Sequence, residues 1–188
     1  MEIVRKVIHI GGVSTIVLAQ VLGKPGLSLI VLATTGLYII SEYLRLHKKH
    51  LPIITRVTEL ASRKDEASNW ILNPVTYAIG IVIALNLFPE PINYATIAVL
   101  TIGDGFASVV GEKSARHPIP YNSDKTVEGS TTFFVASFIS TLMFVNPLLA
   151  LLGSIMGTIV ESLPTRYWEN VLIPVTSGIC MSAQLLFK

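Results

Sequence analysis

The chain has 188 residues, 51% of them hydrophobic and only 14% charged, with a formal net charge of +2. A soluble domain of this size needs a more charged surface, and so small a net charge argues against nucleic acid as a partner. The single Cys180 excludes an intrachain disulfide and a cysteine-rich zinc site.

A bilayer core takes roughly 17–25 apolar residues per helix. Apolar runs at 8–22, 26–46, 70–88, 92–111, 127–145, 147–164 and 169–187 therefore predict one all-α integral membrane domain over 1–188, a bundle of about seven transmembrane helices. No small-residue cleavage site follows the first run, so a cleavable signal peptide is not expected. That run is the shortest and the one expected to tilt or re-enter. Gly23-Lys24-Pro25-Gly26, Pro89-Glu90-Pro91 and Asn146-Pro147 read as tight breaks. Longer polar loops at 47–69, 112–125 and 164–169 alternate with them.

Positive charge sets the orientation. Of the 14 lysines and arginines, all but Lys24 and Lys188 fall on one side if the N-terminus is cytoplasmic. The expectation is a multi-pass cell-membrane protein, N-terminus inside and C-terminus outside. In the first long loop, Pro52 opens a stretch in which Ile53, Ile54, Val57, Leu60 and Ala61 share one face, with Arg56, Glu59 and Arg63 opposite. That spacing predicts an amphipathic helix lying on the inner membrane surface.

Ionisable side chains within a membrane are costly and face a bundle interior or an aqueous pocket. Glu42, Asp104, Glu128 and Glu161 all fall in the cytoplasmic halves of their runs, with His9 and Asn170 near helix ends. Asp104, seven residues before Gly111, lies roughly 10 Å deep. Four carboxylates at one depth predict a single polar site on the cytoplasmic side. Gly103, Ala107 and Gly111 form a small-residue stripe beside Asp104 and Ser108, and Gly153 and Gly157 lead to Glu161 at the same spacing. Close helix packing explains the glycines but not the carboxylate that accompanies each stripe.

The second long loop brings Lys113, Arg116 and Lys125 to the start of the fifth run, where Thr126, Gly129 and Ser130 add hydroxyls and backbone amides. A helix N-terminus with a glycine and a flanking lysine suits phosphate. Glu128 in the same turn would repel phosphate unless a divalent cation lies between them, and Mg²⁺ fits that place.

Gly103-Asp104-Gly105-Phe106-Ala107 through Gly111, followed by Lys125-Thr126-Val127-Glu128-Gly129-Ser130, resembles the paired motifs of the CTP-dependent lipid kinases: dolichol kinase, phytol kinase and the CTP-dependent diacylglycerol kinase. Arg5-Lys6-Val7-Ile8-His9, Glu161-Ser162 and Glu169-Asn170 with Pro174 are similar to further parts of that family. The CDP-diacylglycerol synthases share the two motifs. They also carry an acidic and basic signature near the C-terminus, whereas here no acidic residue follows Asn170. The kinase is the better match.

The resemblance implies phosphoryl transfer from CTP to the hydroxyl of a membrane lipid alcohol, such as a polyprenol, a phytol-like alcohol or a diradylglycerol. It implies that Lys113, Arg116, Lys125, Thr126, Gly129 and Ser130 hold the nucleotide, and that Asp104, Glu128 and Glu161 hold Mg²⁺. Either Asp104 or His9 orients or deprotonates the hydroxyl. The expected partners are CTP, the lipid alcohol and the bilayer; a homo-oligomer is allowed but not required. A small proton-coupled transporter would also bury carboxylates between small-residue stripes, though it would place them nearer the midplane.

Overall fold

A computed structural model describes residues 2–49, 51–61, 69–114 and 116–183, and most of them are helical. In chain order they form α1 (Glu2–Gly11), α2 (Ser14–Leu46), α3 (Pro52–Ala61), α4 (Asn73–Leu87), α5 (Ile92–Ala98), a π turn (Val99–Gly103) and α6 (Asp104–Lys113). Strands β1 (Pro118–Ile119) and β2 (Asn122–Thr126) follow, then α7 (Val127–Thr141), α8 (Pro147–Ser162), a 3-10 turn (Arg166–Trp168) and α9 (Glu169–Ala183). Arg63, Lys64 and residues 184–187 of the last apolar run lie outside the described residues.

The breakers act where the sequence places them, though not always by ending a helix. Asn146 caps α8, its side chain accepting from the Leu149 amide at 3.0 Å, with Pro147 in the first turn. Thr126 caps α7 in the same way through the Gly129 amide. Pro52 opens α3 as expected. The break at 23–26 also falls where expected: within α2 two helical segments meet across a kink there. Gly23 takes φ 74°, a conformation natural to glycine, just ahead of Pro25, which has no amide proton to continue the helix.

Two expectations are corrected. The run 8–22 is not one helix: α1 ends at Gly11 and α2 begins at Ser14, with a tight turn between them. Tyr77, whose hydroxyl donates 2.5 Å to the His9 carbonyl, fills the space beside Gly12. The fold is all-α as expected, but one loop is not irregular. Much of the expected loop 112–125 is an antiparallel hairpin, β1 paired with β2 through Pro118 and Thr126.

Two helical stretches, Ser14–Leu46 and Ile92–Lys113, are long and apolar enough to cross a membrane, and Asn73–Leu87 and Pro147–Ser162 are apolar but shorter. The stretch from Ile92 through Thr101 runs through the centre with every residue buried or nearly so. Its two threonines are satisfied locally: Thr96 and Thr101 donate to the Asn93 and Ile97 carbonyls. Around it pack Phe133 of α7, Val160 of α8 and Ile173 of α9. One end of the bundle carries the Lys24–Glu90 ion pair at 3.1 Å and the Asn86–Ser28 hydrogen bond. The other end carries the hairpin, Arg5, Arg45 and the N-termini of α4, α7 and α9.

The α4–α9 crossing shows how tightly the helices are set. Pro174 has no N–H to offer the Asn170 carbonyl four residues earlier, and that carbonyl lies against Gly80. A Cβ at Gly80 would also sit 3.1 Å from the Asn170 carbonyl carbon. Gly80→Ala should therefore lower stability by about 1–3 kcal/mol through overpacking, read as thermal unfolding of the purified protein. Gly36→Ala, where a Cβ would meet nothing within 4 Å, serves as the control and should be neutral or mildly stabilising. Equal effects at the two positions would remove the crossing as the reason.

Candidate active site

A cleft of about 740 Å³ opens at the hairpin end of the bundle, between α1, α2, α4, α6, β2 and the α8–α9 connection. The hairpin is fixed over the end of α8: Asn122 donates to the Ser162 carbonyl at 3.0 Å and Tyr121 to the Ser162 hydroxyl at 2.9 Å. With Asn122 and Thr126 buried at the two ends of β2, Lys125 is directed into the cleft. Its Nζ lies 3.0 Å from Glu161 and 2.9 Å from Glu169.

Glu161, whose side chain is 3% exposed, also accepts from the Ser130 hydroxyl at 2.7 Å. Two residues of one motif, Lys125 and Ser130, thus grip the same carboxylate from different elements. Burial disfavours a charged Lys125, but the fields of Asp104, Glu169 and Glu161 outweigh it and raise its pKa above the ordinary lysine value. The two carboxylates in contact with Lys125, Glu161 and Glu169, are hard-oxygen donors that can accept further positive charge.

On the opposite wall, α1 docks against α6 with Ile10 over Gly105, where a side chain at Gly105 would strike it. This brings His9 Nε2 within 3.1 Å of both Asp104 Oδ2 and the Leu100 carbonyl. Both are acceptors, so Nε2 carries the proton and donates. Leu100 lies in the π turn, the distortion that immediately precedes Asp104. The His9 ring also packs on Tyr77, centroid to centroid 4.3 Å. Arg5, at 2.7 Å, and Lys6 both pair with Glu112 at the rim.

Of the residues the sequence singled out, His9, Asp104, Lys125, Thr126, Gly129 and Glu161 line the cleft, and Ser130 stands behind it on Glu161. Gly129 also packs close to Gly111, where a Cβ on Gly129 would lie 3.3 Å from the Gly111 Cα, so the two motifs touch through their glycines. The Gly129 amide is engaged by its own helix cap. Lys113 and Arg116 are exposed and do not line the cleft. Glu42 is buried away from it as a local brace, binding Arg45 and the Ile71 amide.

The expected trio of Asp104, Glu128 and Glu161 does not converge. Successive helix residues point about 100° apart. With Gly129 packed on α6, Glu128 turns outward to His117 at 2.6 Å. Among the described residues no three potential metal ligands come together.

Glu169, which was not among the expected ligands, shares Lys125 with Glu161. As the first residue of α9 it reads as an ordinary acidic helix start. Only the turn through Pro164 brings it back beside Glu161. Asn170, singled out from the sequence, lines the cleft, and Tyr77, Asp124 and Arg166 also line it without a sequence signal of their own.

No family model matches the chain, and no solved structure does. Curated plant proteins do. The probable phytol kinase 3 of Glycine max is 31% identical over 134 residues, 62% of this chain and 42% of its own length. The probable phytol kinase 2 of Oryza sativa subsp. japonica is 28% identical over 134 residues, 62% of this chain and 44% of that protein. The farnesol kinase of Arabidopsis thaliana is 28% identical over 136 residues, 63% of this chain and 44% of that protein. All three are named as chloroplastic. The chain spans less than half the length of these relatives. The alignments agree with the motifs: over about three-fifths of its length this chain is similar to proteins named phytol kinase and farnesol kinase.

Proposed function

We propose that this protein is a kinase that transfers a phosphoryl group from CTP to the hydroxyl of a membrane lipid alcohol. The observation that carries the reading is the cleft: one cavity joins Lys125, Asp104, Glu161 and Glu169 to the apolar faces of α2 and α4. A water-soluble donor and a bilayer-soluble acceptor must meet, and such a cavity offers a wall for each. The likeness to phytol and farnesol kinases supports the acceptor class, and CTP as donor rests on the resemblance of the paired motifs to those of the CTP-dependent lipid kinases. Offered the nucleoside triphosphates one at a time, the purified protein should use CTP about tenfold or more better than ATP. Equal use of ATP would remove cytidine from the assignment.

Phosphoryl transfer is chiefly positioning and charge neutralisation. Lys125 leaves Glu161 and Glu169 for the phosphate oxygens when the triphosphate arrives. Asp104 takes the proton of the lipid hydroxyl as that oxygen bonds to the γ-phosphorus and the bond to the β–γ bridging oxygen breaks, releasing CDP. His9, donating through Nε2, holds one oxygen of Asp104 and leaves the other for the hydroxyl. Mg²⁺ needs only one or two protein carboxylates besides phosphate oxygens. Glu161, released as Lys125 moves to the phosphates, would hold it, and it would neutralise charge on the triphosphate.

The same reading places seven passes in the membrane, with the hairpin end in the cytoplasm. The exposed apolar residues of α2, among them Leu29, Leu32, Leu37 and Ile40, suit a lipid-facing surface. The Lys24–Glu90 pair lies at the opposite end from Lys125. With Cys180 replaced, Ser114→Cys should react with a membrane-impermeant thiol reagent only from the cytoplasmic face and Glu90→Cys only from outside. Labelling of Ser114→Cys from outside would put the cleft beyond the reach of cytosolic nucleotide.

A further inference from the structure

The cleft has a second compartment. Beyond Tyr77 it continues as an arm between α2 and α4, walled by Val31, Ala78 and Ile81. Three threonines and two tyrosines also face it, yet each hydroxyl is already committed. Thr34 and Thr35 donate to the Val31 carbonyl at 2.9 and 2.7 Å, and Thr58 donates to Ile54 at 2.9 Å. Tyr38 donates to the Ile71 carbonyl at 2.9 Å and Tyr77 to that of His9. A hydroxyl bonded to its own helix offers a ligand mainly its methyl group. The arm is therefore hydrocarbon in character, in contrast to the charged end around Lys125.

Past Val31 and Ile81 the buried cluster that includes Leu27 and Ala84 closes the arm. At its side Thr34 and Ile8, which is 47% exposed, form a rim open to the surroundings. The inner face of α2 from Tyr38 to Val31 covers about 10 Å at 1.5 Å per residue.

We propose that this arm binds the hydrocarbon tail of the lipid alcohol, which enters sideways past Thr34 and Ile8 and lies along Val31, Thr35 and Ala78 with its hydroxyl at Asp104. The inference rests on the kinase reading and adds the residues that select the acceptor. Because the arm is closed at Val31 and Ile81, the first part of the tail is read by the protein. The remainder turns out through the rim into the bilayer. Val31→Phe shortens the arm at its far end, and Thr34→Trp narrows the exposed rim without touching the core.

The test uses the full chain in lipid nanodiscs with two prenyl alcohols, one of about ten carbons and one of about twenty. Each additional buried methylene strengthens binding by about 0.8 kcal/mol, so both variants should raise KM for the longer alcohol about tenfold or more. KM for the shorter alcohol and for CTP should change little. A long-chain alcohol carrying a mid-tail diazirine should crosslink to the segments around 31–38 and 73–81 of the unsubstituted protein, and less in both variants. Equal KM changes for the two alcohols, crosslinks elsewhere, or displacement of the probe by ordinary phospholipid at equal amount would overturn the arm. Crosslinking in the arm without phosphorylation of either alcohol would uphold it as a lipid-alcohol site while ending the kinase reading.

Discussion

Asp104→Asn should slow phosphoryl transfer to the lipid alcohol by about 10²–10⁴-fold, the range of a positioned general base, with folding and nucleotide binding retained. Asn keeps the shape of Asp104 and an oxygen able to accept from His9 Nε2, now 3.1 Å away, but it cannot take a proton from the hydroxyl. The effect belongs in kcat and not in KM for CTP. His9→Gln should cost less, because it removes the group that holds Asp104 and not the base itself. An Asp104→Asn protein with most of its activity would take Asp104 out of the reaction and leave His9 as the candidate.

Lys125→Met should have the second large effect, and on two quantities at once. It removes the cation proposed for the phosphates, and it leaves Glu161 and Glu169 facing each other without the ammonium 3.0 and 2.9 Å away. Breaking a buried pair by deleting one partner costs about 3–5 kcal/mol, so a sharp fall in thermal stability is expected together with loss of CTP use. The triple variant Lys125→Met, Glu161→Gln, Glu169→Gln isolates the structural role. It should recover stability, because no buried charge is left unpaired. A triple variant as unstable as Lys125→Met would mean that the unpaired carboxylates are not the cause of the loss.

The sequence was most legible where local chemistry decides. Asn146-Pro147 and Thr126 mark helix starts by side-chain capping, and both caps form. Pro52 opens the amphipathic helix expected there. Asp104 and Glu161 were readable because charge in an apolar run carries a cost that only a polar site offsets, and Lys125 because it flanks a helix start suited to phosphate. The misreadings arise where direction matters more than position. Glu128 shares a turn with Gly129 but points to His117, since neighbouring residues on a helix do not share a face. Lys113 and Arg116 lie close to the motif along the chain, yet the hairpin carries only Lys125 into the cleft. Its pairing is two residues long at β1, too short for periodicity to reveal. Glu169 needed the turn at Pro164 to meet Glu161, a long-range fact with no local signature. The apolar arm was invisible for a similar reason: Thr34, Thr35 and Thr58 read as polar until their hydrogen bonds to their own helices are seen.

The most direct measurement incubates the purified protein with a lipid alcohol and CTP labelled in parallel experiments at the α- or the γ-phosphorus. A lipid-alcohol kinase moves the γ label alone into the organic phase, on a lipid monophosphate, with CDP released. Transfer of the α label would mean that a cytidylyl group is moved and would replace the kinase with a cytidylyltransferase. Transfer of neither label, from protein whose thermal unfolding shows it intact, would contradict the catalytic reading of the cleft.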